Sequence, residues 1–250
     1  MSNLEIRPVT SPKELNDFIF FPWDLYRGKE SKYENWVPPL LMDQKHTFSR
    51  KHSKFYSHAE QKEFLAYRDG KIVGRIAAMV DHAYIEYQKK KDGFVGFFEC
   101  FDDTEASDAL FSAAEEYLRE QGMERVMGPV NQSTGQILGC MISAFDIPPV
   151  VQMPWNPDYF QKLFEHAGYE KEIDLYSYIM STEMPLSDKI KRVSELARKR
   201  NGVEVRRADM KNWDATVEIV RDIWNDAWAD NWASPPGPKR NSRSWLRILK

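Results

Sequence analysis

The chain has 250 residues, 42% hydrophobic and 13% aromatic, which is long enough to bury a substantial core as one large domain or two small ones. The net charge is -3, but Ser234 to Lys250 carries five basic residues and no acidic one, leaving the preceding 233 residues at -8; an acidic body argues against a nucleic-acid partner, which a basic face would meet. No run approaches the roughly 18 apolar residues of a membrane span, and MSNLEIRPVTS has no basic segment followed by an apolar one, so a cytoplasmic protein with no membrane partner is expected.

Leu4 to Val9 alternates like a strand, and Ser11 and Pro12 then open a helix with Leu15, Phe18 and Ile19 on one face. From Phe20 to Leu41 the text is aromatic and interrupted by prolines, which predicts short helical turns packed over a core. Lys62 to Arg68 and Ile72 to Asp81, joined through Asp69-Gly70, form a hairpin, because Asp-Gly tolerates the positive φ of a tight turn. Phe94 to Phe101 is a third strand. Thr104 is placed to cap a helix bearing Ala106, Leu110, Ala113, Ala114, Tyr117 and Leu118, closed by Gly122. Strands are expected at Arg125 to Val130, Pro149 to Met153 and Ile173 to Thr182, with a helix from Pro157 to Ala167 ended by Gly168. The order describes an α/β (α+β) domain, a mixed and mostly antiparallel sheet flanked by helices, over residues 1-183.

Residues 184-202 follow as a linker helix, apolar at Leu186, Ile190, Val193 and Leu196 or Ala197 and basic elsewhere, a pattern that reads as a solvated helix joining two units. Leu4-Glu-Ile-Arg recurs as Val203-Glu-Val-Arg206, and Asn35-Trp36 as Asn231-Trp232, so residues 203-232 read as the start of a second copy. From Ala233 to Lys250 the text becomes irregular and basic, which points to a truncation or a change of reading frame. An unfinished copy would expose Ile219, Val220, Ile223, Trp224 and Trp228, and self-association is the expected consequence.

Cys100 and Cys140 make no disulfide framework and no paired metal-ligand spacing; both read as small buried hydrophobes. His46, His52 and His58 stand six apart, a spacing that matches no recognised ligand pattern, so no metal is expected. Gly128 to Gly139 (GPVNQSTGQILG) follows a strand and is dense in small polar residues. Asn131, Ser133, Thr134 and Gln136 are therefore candidates for binding a substrate, unless the stretch is a plain polar connection. Trp155 and Tyr159 follow the next expected strand, where they wall the same cleft or belong to the core.

The element order, together with NPDYFQKLFEHAGYEKE at Asn156 to Glu172, resembles the GNAT superfamily of acyl-CoA-dependent N-acyltransferases; Asn156, Leu163, Glu165, Gly168 and Tyr169 fill matching positions. FPWDLY, GPVNQSTG, PPVVQMPWNPDYF and DLYSY resemble more narrowly a bacterial group with two GNAT-like domains in tandem. The resemblance implies an acyl-CoA or acetyl-CoA cosubstrate, with Asn156 toward it, a small-molecule amine as acceptor, and a carboxylate on the fourth long strand that takes a proton from that amine; Glu99 is placed for it, unless it is only a strand residue at the sheet surface. It also implies a glycine-rich pyrophosphate loop between that strand and the next helix. Phe101 to Ala106 stands there with Asp102, Asp103 and Glu105 and no glycine, and the family's frequent tyrosine acid is replaced by Phe164. Two readings follow: an acyltransferase whose catalysis rests elsewhere in the complete relatives, or a non-catalytic ligand-binding or interaction domain on a degenerate fold.

Overall fold

The computed structural model describes residues 3-28, 33-202, 207-228 and 231-233. Val203 to Arg206, the expected second-copy strand, and residues 234-250 of the basic tail lie outside them. The described residues divide into two units, 3-171 with 231-233, and 172-228.

In the first unit, β1 (Leu4–Pro8), β2 (Ala59–Arg68), β3 (Lys71–Asp81), β4 (Asp92–Cys100) and β5 (Arg125–Met127) form one sheet in that order. Neighbours are antiparallel except β4 and β5, which run parallel across the crossover helix α4 (Thr104–Glu120). This is the mixed, mostly antiparallel architecture that the resemblance implies. Asp69 (φ 49) and Gly70 (φ 77) make the β2–β3 turn, both left-handed as a two-residue hairpin of this kind demands.

Each face of the sheet has its own core. Ile76, Ala78, Val80, Val95 and Phe98 meet Leu110, Ala114 and Leu118 of α4, together with Phe160, Leu163 and Phe164 of α5 (Phe160–His166). Leu65, Ala77, Met79, Phe94 and Phe97 meet Phe18 and Ile19 of α1 (Pro12–Arg27), with Phe48 and Phe55. Helix α2 (Leu41–Thr47) precedes β2, and α3 (His82–Gln88), which the sequence pattern does not separate from the strands, joins β3 to β4.

Helix α1 opens on a capping box: the Ser11 hydroxyl accepts from the Glu14 amide while the Glu14 carboxylate accepts from the Ser11 amide. It does not stop before the prolines as expected but runs through Pro22 to Arg27. The α4 cap is Asp103 rather than Thr104, its Oδ1 accepting from the Ala106 amide at 3.1 Å. Strand β5 ends at Met127, before the cis Gly128-Pro129 bond, and Val130 makes only an isolated bridge to Leu138. Residues 149-153 form turns and irregular chain instead of the expected strand.

The second unit contains α6 (Asp188–Asn201), capped by Ser187, and α7 (Trp213–Ala227), a 15-residue helix beside the 16 of α1 that it was expected to copy. Residues 173-182, expected as a strand, are irregular, and Ile173, Leu175, Tyr176, Tyr178, Ile179 and Met180 are exposed. Ile219, Val220, Ile223 and Trp228 of this unit are exposed as well.

Candidate functional site

Strand β4 carries a bulge. Ala77 pairs with Gly96 and Arg75 with Glu99, so β4 spends one residue more than β3, and Phe97 absorbs it at φ 48. A left-handed phenylalanine stores strain of about 1 to 2 kcal/mol, which the surrounding contacts must hold. Beyond Phe94 and Met127 the ladder to β5 ends, and the chain returns over β4 instead: the Val130 amide donates to the Val95 carbonyl at 2.8 Å, and Asn131 Oδ1 accepts from the Phe97 amide at 2.7 Å. The crossing is so close that a Cβ on Gly96 would stand 1.9 Å from the Val130 oxygen.

The bulge sets Glu99 on the same face as Arg75 and α1. Arg75 Nε donates to Glu99 Oε2 at 2.5 Å, with the two side chains only 4% and 18% exposed. The same guanidinium also reaches α1, where Nη1 donates to the Phe18 carbonyl at 2.6 Å and the central carbon sits 4.7 Å from the Phe18 ring centre. Pro22, four residues after Phe18, has no amide hydrogen to give that carbonyl, so Arg75 supplies the donor that the helix lacks. Arg75 thus ties the helix and the carboxylate together. It was missed in the sequence, where the signal was a lone cation inside the apolar run IVGRIAAMV.

Tyr159 donates its hydroxyl to the Cys100 carbonyl at 2.8 Å, next to Glu99, and burial pushes its pKa far up. Tyr26 feels the Glu99 charge, after burial the main reason its own pKa is raised, and its ring lies 5.6 Å from that of Trp155. Glu99, Tyr159 and Trp155 therefore gather around Tyr26. The remaining candidates go elsewhere. Asn156 spends its amide on the backbone: Oδ1 accepts from the Met141 amide at 2.7 Å, and Nδ2 donates to the Met141 and Pro157 carbonyls. Ser133 and Gln136 close a turn through their backbones, Gln136 being exposed, while Thr134 Oγ1 donates to the Ala233 carbonyl. Gln132, just before them, is 2% exposed and donates to the Thr47 carbonyl at 2.9 Å. His58, from the histidine series, pairs with Asp81 at 2.9 Å.

The corner at Phe101 to Ala106 is filled from within. Asp103 takes the Ala106 amide with its side chain and the Ser107 amide with its carbonyl, and Arg68 clamps Asp103 through Nε and Nη2 at 2.8 and 2.9 Å and Glu105 at 2.8 Å. These carboxylates hold the guanidinium's pKa well above its usual range. A pyrophosphate would need the amides that Asp103 uses and the cation that Asp103 and Glu105 share. The residues at this corner do not fit the pyrophosphate of CoA.

No protein-family model matches the chain. It is 34% identical over 256 residues to the bacterial ceramide synthase of Caulobacter vibrioides (strain NA1000 / CB15N), a match covering 100% of this chain and 64% of that protein. It is 32% identical over 221 residues to protein YghO of Escherichia coli (strain K12), covering 88% of this chain and 55% of YghO. The chain thus spans between about half and two thirds of the length of these curated relatives. Among solved structures, the aminoglycoside acetyltransferase AAC(6')-Iy bound to a bisubstrate analogue is 15% identical with a TM-score of 0.42, over 72% of this chain and 99% of that one. The tandem GNAT protein from the clavulanic acid biosynthesis pathway is 11% identical with a TM-score of 0.39, over 66% of this chain and 43% of that one.

Proposed function

We propose that this chain, which has the acyl-CoA N-acyltransferase (GNAT) fold, serves an N-acyltransferase that joins an activated acyl group to an amine. The observation that carries this reading is the 34% identity to a bacterial ceramide synthase along the whole chain; forming a ceramide means making an amide on a lipid amine. In the reaction the amine nitrogen attacks the acyl carbonyl, loses a proton and expels the leaving group. Glu99 is the group we assign to that proton. It is largely shielded, and Arg75 donates to its Oε2 at 2.5 Å, which fixes the orientation of the carboxylate. Because the Phe101 to Ala106 corner is closed, the donor is not assigned to it. That same corner favours the second reading, a ligand-binding domain without catalysis.

Acetyl-CoA and palmitoyl-CoA are each offered to the protein with a long-chain amino alcohol, and the amide product is followed by mass spectrometry. Amide formation that falls about a hundredfold or more in Glu99→Gln supports the assignment. Binding of the amine without amide from either donor supports the non-catalytic domain instead, and activity unchanged in Glu99→Gln removes Glu99 from the mechanism.

A further inference from the structure

A cavity of about 200 Å³ lies beside the aromatic cluster, lined by Tyr33, Glu34, Asn35, Phe145, Trp155 and the Pro157-Asp158 pair. Its aromatic wall is fixed from behind: Trp155 meets Tyr33 at 5.7 Å and Tyr26 at 5.6 Å, and Asn35 Nδ2 donates to the Phe145 carbonyl at 3.2 Å, pinning the two loops that form the rim. Among the described residues, no lysine or arginine lines it. Glu34 and Asp158 are exposed at its mouth, and neither has a cationic partner among the described residues. The Trp155 indole N–H is buried and has no acceptor among the described residues.

Two carboxylates that no described cation neutralises, at the mouth of a cavity walled by aromatic residues, attract a cation and repel an anion. The volume falls below the roughly 300 Å³ at which pockets begin to enclose drug-sized molecules, so it suits one end of a ligand. We propose that this cavity binds the protonated amine end of a small organic cation, the rings meeting the ammonium and Glu34 and Asp158 supplying the counter-charge. The proposal rests on the acyltransferase reading in one respect, that the bound amine is the acyl acceptor. Tyr26 is in ring contact with Trp155 and within the electrostatic reach of Glu99, which puts the ammonium one aromatic residue from the assigned base.

The test is a titration of the full chain, isotopically labelled, with 2-aminoethanol, with tetramethylammonium and with neutral ethylene glycol, reading the Trp155 indole N–H by NMR; Trp155→Phe assigns the resonance. Both cations should shift it saturably and ethylene glycol should not. The Glu34→Gln/Asp158→Asn variant, which alters only exposed side chains, should weaken the cations about tenfold or more. Absence of a shift, equal response to ethylene glycol, or unchanged affinity in the double variant overturns the proposal. Amide formation whose KM for the amine is indifferent to the double variant sinks the cavity and leaves the acyltransferase reading standing. Cation binding that the double variant weakens, with no amide from any donor, does the reverse.

Discussion

Replacing Arg75 with methionine tests whether one guanidinium holds both Glu99 and the proline-interrupted helix. The substitution keeps the apolar stem of the side chain but strands Glu99 at 18% exposure and leaves the Phe18 carbonyl without a donor. Removing one partner of a buried ion pair costs about 3 to 5 kcal/mol, and an orphaned buried carbonyl about 1 to 3. Residual solvent at Glu99 trims the first figure, so the expected loss is about 4 kcal/mol, a large share of the roughly 5 to 15 kcal/mol that holds a typical domain together. Adding Glu99→Leu removes the stranded charge, and the double variant should lie only about 1 to 2 kcal/mol below the native chain, the remainder belonging to Phe18. Pro22→Ala then returns an amide hydrogen to Phe18, and should help more, by about 1 kcal/mol, in the double variant than in the native background. Urea unfolding followed by tryptophan fluorescence and circular dichroism provides the free energies, provided the two signals coincide. Equal destabilisation by the single and double variants, or a Pro22→Ala effect that is the same in both backgrounds, would refute the reasoning.

Gly96→Ala sets a methyl group 1.9 Å from the backbone oxygen of Val130, where no rotamer relieves it. The chain over β4 must lift, taking with it the Val130-to-Val95 and Phe97-to-Asn131 hydrogen bonds; a loss of about 3 kcal/mol is expected, read as a lowered Tm together with faster hydrogen exchange at the Phe97 amide. Glu14, whose carboxyl is drawn from 4.5 down to about 2 by the Thr10 amide first and then by Ser11, gives a pH dependence. Its folded pKa lies below the unfolded one, so its contribution is present above about pH 4.5 and is lost as the pH falls toward 2. In Glu14→Gln that dependence disappears: the Tm gap to the native chain should be widest near neutrality and close toward pH 2, and a gap constant with pH would exclude the charge as its origin.

Where a structural feature is decided by neighbours in the chain, the amino-acid sequence alone was sufficient. The Asp69-Gly70 turn follows from residues that accept positive φ, the start of α1 from Ser11 and Pro12, and α4 from apolar residues at helical spacing. The acidic corner was readable too, because a missing glycine and a present carboxylate are local facts. Pro22 could not be judged that way. A proline inside a helix is costly when its carbonyl partner goes unmet, and the donor that meets it, Arg75, is 57 residues further on. Residues 173-182 carry the alternation of a strand yet form none, since a strand is completed by the ladder it joins and not by its own pattern. Asn131 stood as a substrate-binding candidate from its polar loop and Asn156 as a cofactor-binding one from the family resemblance; packing sets Asn156 against the Met141 backbone and Asn131 against the Phe97 amide, contacts that neither stretch displays by itself. Glu99 was identifiable as a carboxylate in a strand, but its chemistry depends on an arginine that β3 places opposite it. Hydrogen bonds and charges act through space, and only the tertiary structure decides which groups share that space.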